Sequence, residues 1–469
     1  AGWQTGKASG TGKRNAFPME SVWAWGKSVF APAPPEPEPE EPLPYMKLVL
    51  AFMCTMFLFL QWLETRQLSQ LQKKFPPKEL SGAISPEEFK AARSYGLDRW
   101  YFRFFTSTVD AAESVAFLAY GGLASLWALS SDWSARLPFS WDEEIQTSVI
   151  FTLAYALASA VMQQPFSIYR TFVLEERHGF NKQSVGCYIA DLFKGLGILF
   201  VLAPPVVLAV VKILRNTGPY VALYLWGFIM VFNVVLMTIY PVFIAPLFNK
   251  YEAMKEGPLK EKIEALAAGL EFPLKKLFVV DASKRSGHSN AYMYGFFNNK
   301  RIVLYDTLLG QCADDEILAI LAHELGHWKC RHTPILFVLS MTVLLLQLSL
   351  YTFVSNSAGL FESFGFHDRE ERPALIGLIL FSFISGPSDV VIEFLSNILS
   401  RRFEFQADRF AVRQGLPQEL ASGLVKLHKE NKSNPNIDFL YSTYHFSHPP
   451  LVERLRAIQK EADARKKDK

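Results

Sequence analysis

Asp314-Asp315-Glu316-Ile317-Leu318-Ala319-Ile320-Leu321-Ala322-His323-Glu324-Leu325-Gly326-His327 reads as one helix with a pair of metal-binding side chains on its surface. Three acids open it, where the partial positive charge of a helix N-terminus favours them, and no breaker interrupts the apolar run before the first histidine. His323 and His327 are four residues apart, so a helix turns both imidazoles to one face with Glu324 beside them.

H-E-x-x-H is the arrangement of zinc-dependent peptidases. Zinc in a catalytic site takes three protein ligands and leaves a position for water, which it makes acidic enough to attack a carbonyl near neutral pH. Glu324 would take that water's proton. Two histidines leave the ligand set one short, and the third is expected from another helix. Glu404-Phe405-Gln406-Ala407-Asp408, which follows Arg401-Arg402 at the end of a long apolar segment, supplies the candidate. Cys330, three residues past His327, shares the helix face only loosely. The four cysteines, Cys54, Cys187, Cys312 and Cys330, are scattered without a C-x-x-C pair, so neither a disulfide framework nor a thiolate zinc site is expected.

Half of the 469 residues are hydrophobic, with 39 Phe and 10 Trp, and the mean hydropathy is positive, which reads as a membrane protein. The net charge of +3 is small and the basic residues are dispersed, so nothing points to nucleic acid. Apolar runs long enough to cross a bilayer, roughly 20 residues, fall at about 46–63, 113–130, 145–162, 193–213, 221–247, 334–355 and 373–399. That makes seven spans, none with an internal repeat of the transporter kind. Asn233 lies in the fifth, and Asp389 and Glu393 in the seventh. Polar groups at bilayer depth are costly unless they face protein or a water-filled cavity.

Lys and Arg crowd residues 64–112 and 248–333, whereas 131–144 holds only Arg136 and 356–372 only Arg369 and Arg372. The positive-inside rule then turns the His323–His327 helix, Glu404 and the C-terminal tail to the cytosol and the N-terminus to the far side. The ending Lys466-Lys467-Asp468-Lys469 resembles a dilysine retrieval address, which is read from the cytosol on endoplasmic-reticulum membrane proteins. Residues 1–45 read as a disordered extension, with an organellar transit segment as the alternative. The remainder divides into spans one to five (46–247), a cytosolic-side protease region (248–333), spans six and seven (334–399) and a C-terminal protease region with the third ligand and the basic tail (400–469). Within the first protease region, 290–297 and 301–305 read as two strands around an Asn298-Asn299 turn.

Together with Glu175 to Lys182 (EERHGFNK), Ile244 to Lys250 (IAPLFNK), Ser289 to Tyr292 (SNAY), Arg401 to Asp408, and Ser447-His448-Pro449-Pro450 with Glu453-Arg454, the zinc motif makes the chain resemble the type I CAAX prenyl endopeptidases from about residue 46 to 460. These are integral membrane zinc proteases of the endoplasmic reticulum and inner nuclear membrane. The resemblance implies a mainly α, polytopic fold in which seven transmembrane helices enclose a hydrated chamber, beside a zincin-like region with a short β-hairpin. It implies one zinc ion held by His323, His327 and Glu404, with Glu324 as general base. It implies Asp408 as a carboxylate orienting a ligand imidazole, His448 as the transition-state histidine with Arg454 as a supporting cation, and Asn290, Ala291 and Tyr292 on a substrate-binding edge strand. His445 is the weaker substitute for His448. His332, His367 and His428 match no role and read as surface or packing histidines. Some family members insert a long charged loop after Asp306-Thr307-Leu308-Leu309, and this chain does not.

The implied activity is removal of -aaX from prenylated C-a-a-X proteins, possible second upstream cleavage of some precursors included, with the bilayer as the other partner. A broader protease that clears misfolded or stalled membrane proteins would need the same site. A transporter or scaffold with structural zinc is a third reading, against which stand Glu324 and His448, since a structural site closes with four ligands and has no use for a base.

Overall fold

The computed structural model describes residues 43–138, 142–295, 299–355, 357–367 and 372–467, so the expectation for the N-terminal extension lies almost wholly outside the described residues. Helices dominate. Those long and apolar enough to cross a membrane include α1 (Tyr45–Leu71), followed after an intervening pair by α4 (Glu143–Tyr169), α5 (Val185–Asn216) and α6 (Val221–Ile239). The pair is α2 (Pro86–Ala119) and α3 (Gly122–Arg136), which meet at 67°. Six helices among the described residues qualify as spans, and seven if the bent pair counts as one.

The expected second span, 113–130, straddles that bend rather than forming one rod. Gly121 turns there with φ of 69°, in the left-handed region that side chains disfavour, and a Cβ on Gly122 would lie 2.4 Å from the Phe117 ring. The connection expected at 64–112 is also largely helical. Ser85 accepts from the Glu88 N–H while Glu88 accepts from the Ser85 N–H, and Pro86 supplies a pre-set first turn, so α2 starts far upstream of its apolar part. Two of the polar residues within the spans have hydrogen-bond partners. Asn233 donates to the Ile229 carbonyl of its own helix at 2.8 Å, and Asp389 accepts from Gln347 and Ser385.

α6 continues through a π-helical turn at Tyr240–Ile244 into the short α7 (Ala245–Phe248). Then comes β1 (Tyr251–Ala253), α8 (Pro258–Gly269), β2 (Leu274–Val280), β3 (Ala291–Tyr294) and β4 (Lys300–Tyr305). The sheet order is β1-β2-β4-β3, with β2 and β4 parallel and the other pairs antiparallel. The expected hairpin is β3–β4, with Ala291 opposite Leu304 and Tyr294 opposite Arg301, although Asn298 of its turn falls outside the described residues. β3 is the outer strand, bonded along one side only.

The short α9 (Asp306–Gln311) leads into α10 (Asp314–Lys329), which carries the H-E-x-x-H motif and buries Ile317, Leu321 and Leu325 against β4 and α8. After α11 (His332–Val354) and α12 (Ala358–Ser363), α13 (Ala374–Arg413) runs for 40 residues. At 1.5 Å per residue that is about 60 Å, roughly twice a hydrocarbon core. One helix therefore both crosses the membrane and delivers Glu404 and Asp408 to α10. The chain closes with α14 (Pro417–Glu430), α15 (Phe439–His445) and α16 (Leu451–Lys467).

Gly326 sets how closely α10 and α13 approach. A Cβ there would meet Phe410 Cβ at 3.0 Å and Ala407 Cα at 3.2 Å, so a methyl must push the helices apart by a few tenths of an ångström. Gly326→Ala is expected to cost about 1–3 kcal/mol by overpacking and to weaken metal retention, because Glu404 rides on the displaced helix. Denaturant unfolding and metal content of the purified variant check both.

Candidate active site

α10 and α13 bring His323 and His327 together with Glu404, 77 or more residues further along, with one potential ligand atom from each lying within 4.8 Å of the other two. His323 Nε2 is 3.1 Å from His327 Nε2 and 3.5 Å from Glu404 Oε2, and His327 Nε2 is 3.3 Å from Glu404 Oε1. A tetrahedral ion with bonds of roughly 2.0–2.1 Å to such atoms separates its ligands by about 3.3 Å. Glu404 Oε2 is moreover buried without a hydrogen-bond partner. Lone pairs converging at this spacing, one of them otherwise unsatisfied, fit a small divalent cation.

Asp408 follows Glu404 by one turn, as spacing on a helix requires, and accepts from His323 Nδ1 at 2.9 Å. That bond places the proton on Nδ1 and leaves Nε2 free for a metal. Behind Asp408, Arg454 of α16 binds it bidentately at 2.9 and 2.6 Å and reaches within 3.8 Å of Glu404. Burial alone would depress the His323 imidazole, but Asp408 and Glu404 outweigh it and hold the ring up at about 9. Burial likewise works against the Arg454 charge and the Asp408 carboxylate more than restores it. The site thus carries a net anionic field suited to a cation.

Glu324 lines the adjoining cavity and makes no hydrogen bond among the described residues, so its carboxylate is available to a substrate or water. His448 stands opposite, with Nε2 3.2 Å from Glu404 Oε1 and Nδ1 3.0 Å from Ser447 Oγ, and its side chain is 68% exposed. The cavity measures about 1350 Å³. Its walls combine Glu324, His327, Glu404 and His448 with Tyr292 and Tyr294 of β3 and with the apolar Val234, Met237, Leu336 and Phe337 of α6 and α11. Tyr292 hydroxyl meets Tyr251 hydroxyl at 3.0 Å, while Asn290 is exposed and accepts from the Ala291 N–H. His445 is held away, packed on Tyr441 and Tyr444, and burial lowers it to about 4. Cys330 caps α10 and is not one of the clustered ligands.

A family model described as CAAX prenyl protease N-terminal, five membrane helices, matches residues 65–250, and one described as Peptidase family M48 matches 253–462. The CAAX prenyl protease 1 homolog of Arabidopsis thaliana is 50% identical over 420 residues, covering 89% of this chain and 98% of that protein. The chain belongs to the CAAX prenyl protease 1 family. The Homo sapiens CAAX prenyl protease 1 homolog is 40% identical over 88% of this chain and 94% of its own length. The crystal structure of S. mikatae Ste24p superposes with a TM-score of 0.84 at 36% identity, covering 90% of this chain and all of that one. As a member of the CAAX prenyl protease 1 family, the chain is a multi-pass membrane metalloprotease.

Two features of this family member escape a reading of its motifs. The loop Glu175–Lys182 clamps the membrane half to the segment leading into β3. Asn181 bridges Ser286, Gly287 N–H donates to the Phe180 carbonyl, and Phe180 stacks on His288 at 4.1 Å. Arg285 grips Asp191 of α5 at 2.8 and 3.0 Å. The second feature is His332. Far from being a bystander, it is buried with Nδ1 3.0 Å from His327 Nδ1. Its place five residues past His327, beyond the end of α10, hides it, since only the left-handed Arg331, φ 59°, at the turn between α10 and α11 brings its side chain to His327.

Proposed function

We propose that this chain removes the C-terminal -aaX tripeptide from prenylated C-a-a-X proteins, using zinc held by His323, His327 and Glu404. Zinc when bound would acidify a water and polarise the scissile carbonyl. Glu324 takes the proton of the attacking water and passes it to the departing amide nitrogen, since among the described residues it alone of the nearby carboxylates makes no hydrogen bond or ion pair. His448 Nε2, on the open side of the site, donates to the oxygen that gains charge at the tetrahedral carbon. Arg454 acts one step back: it fixes Asp408, and Asp408 fixes the His323 ring.

The substrate adds to the free edge of β3 near Asn290, Ala291 and Tyr292, where main-chain pairing holds an extended peptide while tolerating varied side chains. The apolar walls from α6 and α11 adjoin the reacting groups. Each methylene buried there contributes about 0.8 kcal/mol, so a lipid on the substrate cysteine supplies affinity that a bare peptide lacks. Membership of the family supports a location in the endoplasmic-reticulum membrane, and the Lys and Arg distribution supports a site on its cytosolic side.

The observation that carries this reading is the convergence of three ligand atoms, a free Glu324 and His448 on a cavity with an apolar wall. Purified protein given a farnesylated C-a-a-X peptide and its bare twin tests it. Release of -aaX from the farnesylated peptide alone is expected. Equal release from both would instead mark a general membrane protease.

A further inference from the structure

His332 opens α11 but its side chain turns back beneath the metal-site helix, where it is 2% exposed and stacks on Phe403 at 4.1 Å with the rings 5° from parallel. Its two ring nitrogens meet two different partners. Nε2 lies 2.9 Å from Oε1 of Gln406, and Nδ1 lies 3.0 Å from Nδ1 of His327. A carbonyl oxygen can only accept, so Nε2 must carry a proton. In a neutral ring the other nitrogen then has a lone pair and must accept from His327. His327 therefore keeps its proton on Nδ1 and presents a bare Nε2 toward Glu404 and His323.

We propose that His332, oriented by Gln406, is the positioning residue that fixes the tautomer and ring angle of His327 for metal binding, as the counterpart on α11 of Asp408 for His323. The inference rests on the assignment of His327 as a metal ligand. The two histidine ligands are then held by unlike devices. His323 is backed by an anion, itself neutralised by Arg454, whereas His327 is backed by a neutral imidazole that adds no charge to a site already containing Glu404, Asp408 and Glu324. The relay also ties the metal site to the turn between α10 and α11. That turn depends on Arg331 in the left-handed region, a conformation that L side chains disfavour.

Zinc affinity of the full-length protein, measured by competition with a chromogenic chelator, and the visible spectrum of its cobalt(II) form test this without reference to turnover. His332→Phe keeps a ring stacked on Phe403 but removes the acceptor. His332→Asn loses the ring but sets an amide oxygen where Nδ1 was. Loss of such an outer partner typically weakens metal binding roughly 10–100-fold. The inference predicts that loss and an altered cobalt spectrum for His332→Phe, with most of the affinity recovered in His332→Asn. A purely packing role predicts the reverse order, with His332→Phe like wild type and His332→Asn worse, and that result overturns it. Gln406→Leu, on an exposed position of α13, should weaken zinc binding in the same direction by less, and decides the matter alone if His332→Phe does not fold. Unchanged affinity there would count against the relay. Wild-type protein that binds no zinc would sink the ligand assignment itself, whereas wild-type binding with an unaffected His332→Phe sinks only the role of His332.

Discussion

Glu324→Gln is expected to stop hydrolysis while leaving the metal in place. The side chain lines the cavity and bonds to no other described residue, so the amide fits the same space and breaks no fold contact. What it cannot do is accept a proton from water. General-base contributions run to about 10²–10⁴-fold, and here the same carboxylate also returns the proton to the leaving nitrogen, so the loss should sit at the upper end of that range. Metal analysis and turnover on one preparation check the two halves together. Full zinc with a rate near wild type would remove Glu324 from the mechanism.

Glu404→Ala is expected to act differently, abolishing activity by emptying the site. Glu404 touches His323, His327, His448 and Arg454 within 3.2 to 3.8 Å, and one of its oxygens is buried without a hydrogen bond. Removing merely a partner of a metal ligand costs about 10–100-fold, so removing a ligand should exceed that in both affinity and rate. The fold should survive better than the chemistry, since Arg454 keeps its bidentate bond to Asp408. Metal content, with thermal unfolding as the control for folding, separates the two effects. Stoichiometric, tightly held zinc in Glu404→Ala would mean another residue completes the set.

Much of this site is written in local spacing. His323 and His327, and again Glu404 and Asp408, are four apart, and a helix converts that number directly into a shared face. Long apolar runs are equally plain, and six of the seven expected spans fall on helices long and apolar enough to cross a membrane, although several of these helices run beyond the apolar run. What stayed hidden depends on partners remote in sequence or on single backbone angles. β2 reads Leu-Lys-Lys-Leu-Phe-Val-Val, and its two adjacent lysines spoil the alternation of a strand that is fixed by parallel pairing with β4. The bend at Gly121 vanishes in any average over a span-length window, although the Gly121-Gly122 pair was there to announce it. His332 reads in the sequence as a surface or packing histidine, because nothing short of the turn at Arg331 reveals that it faces His327.

Glycine at 326 shows how the two kinds of information meet. In the motif it is a spacer of no chemical interest, yet its missing Cβ is what lets Ala407 and Phe410 close on α10 and bring Glu404 into reach. The metal site is in this sense a property of the α10–α13 contact rather than of either helix. The same contact couples it to the membrane, since α13 is the helix that crosses.

The most direct measurement is a zinc titration of chelator-stripped protein, with release of -aaX from a farnesylated peptide followed at each addition. Release should be absent at the start, rise in proportion to bound zinc and level off at one ion per chain, with Glu324→Gln binding the same amount silently. Hydrolysis by the stripped protein, or a plateau reached without bound zinc, would contradict the account.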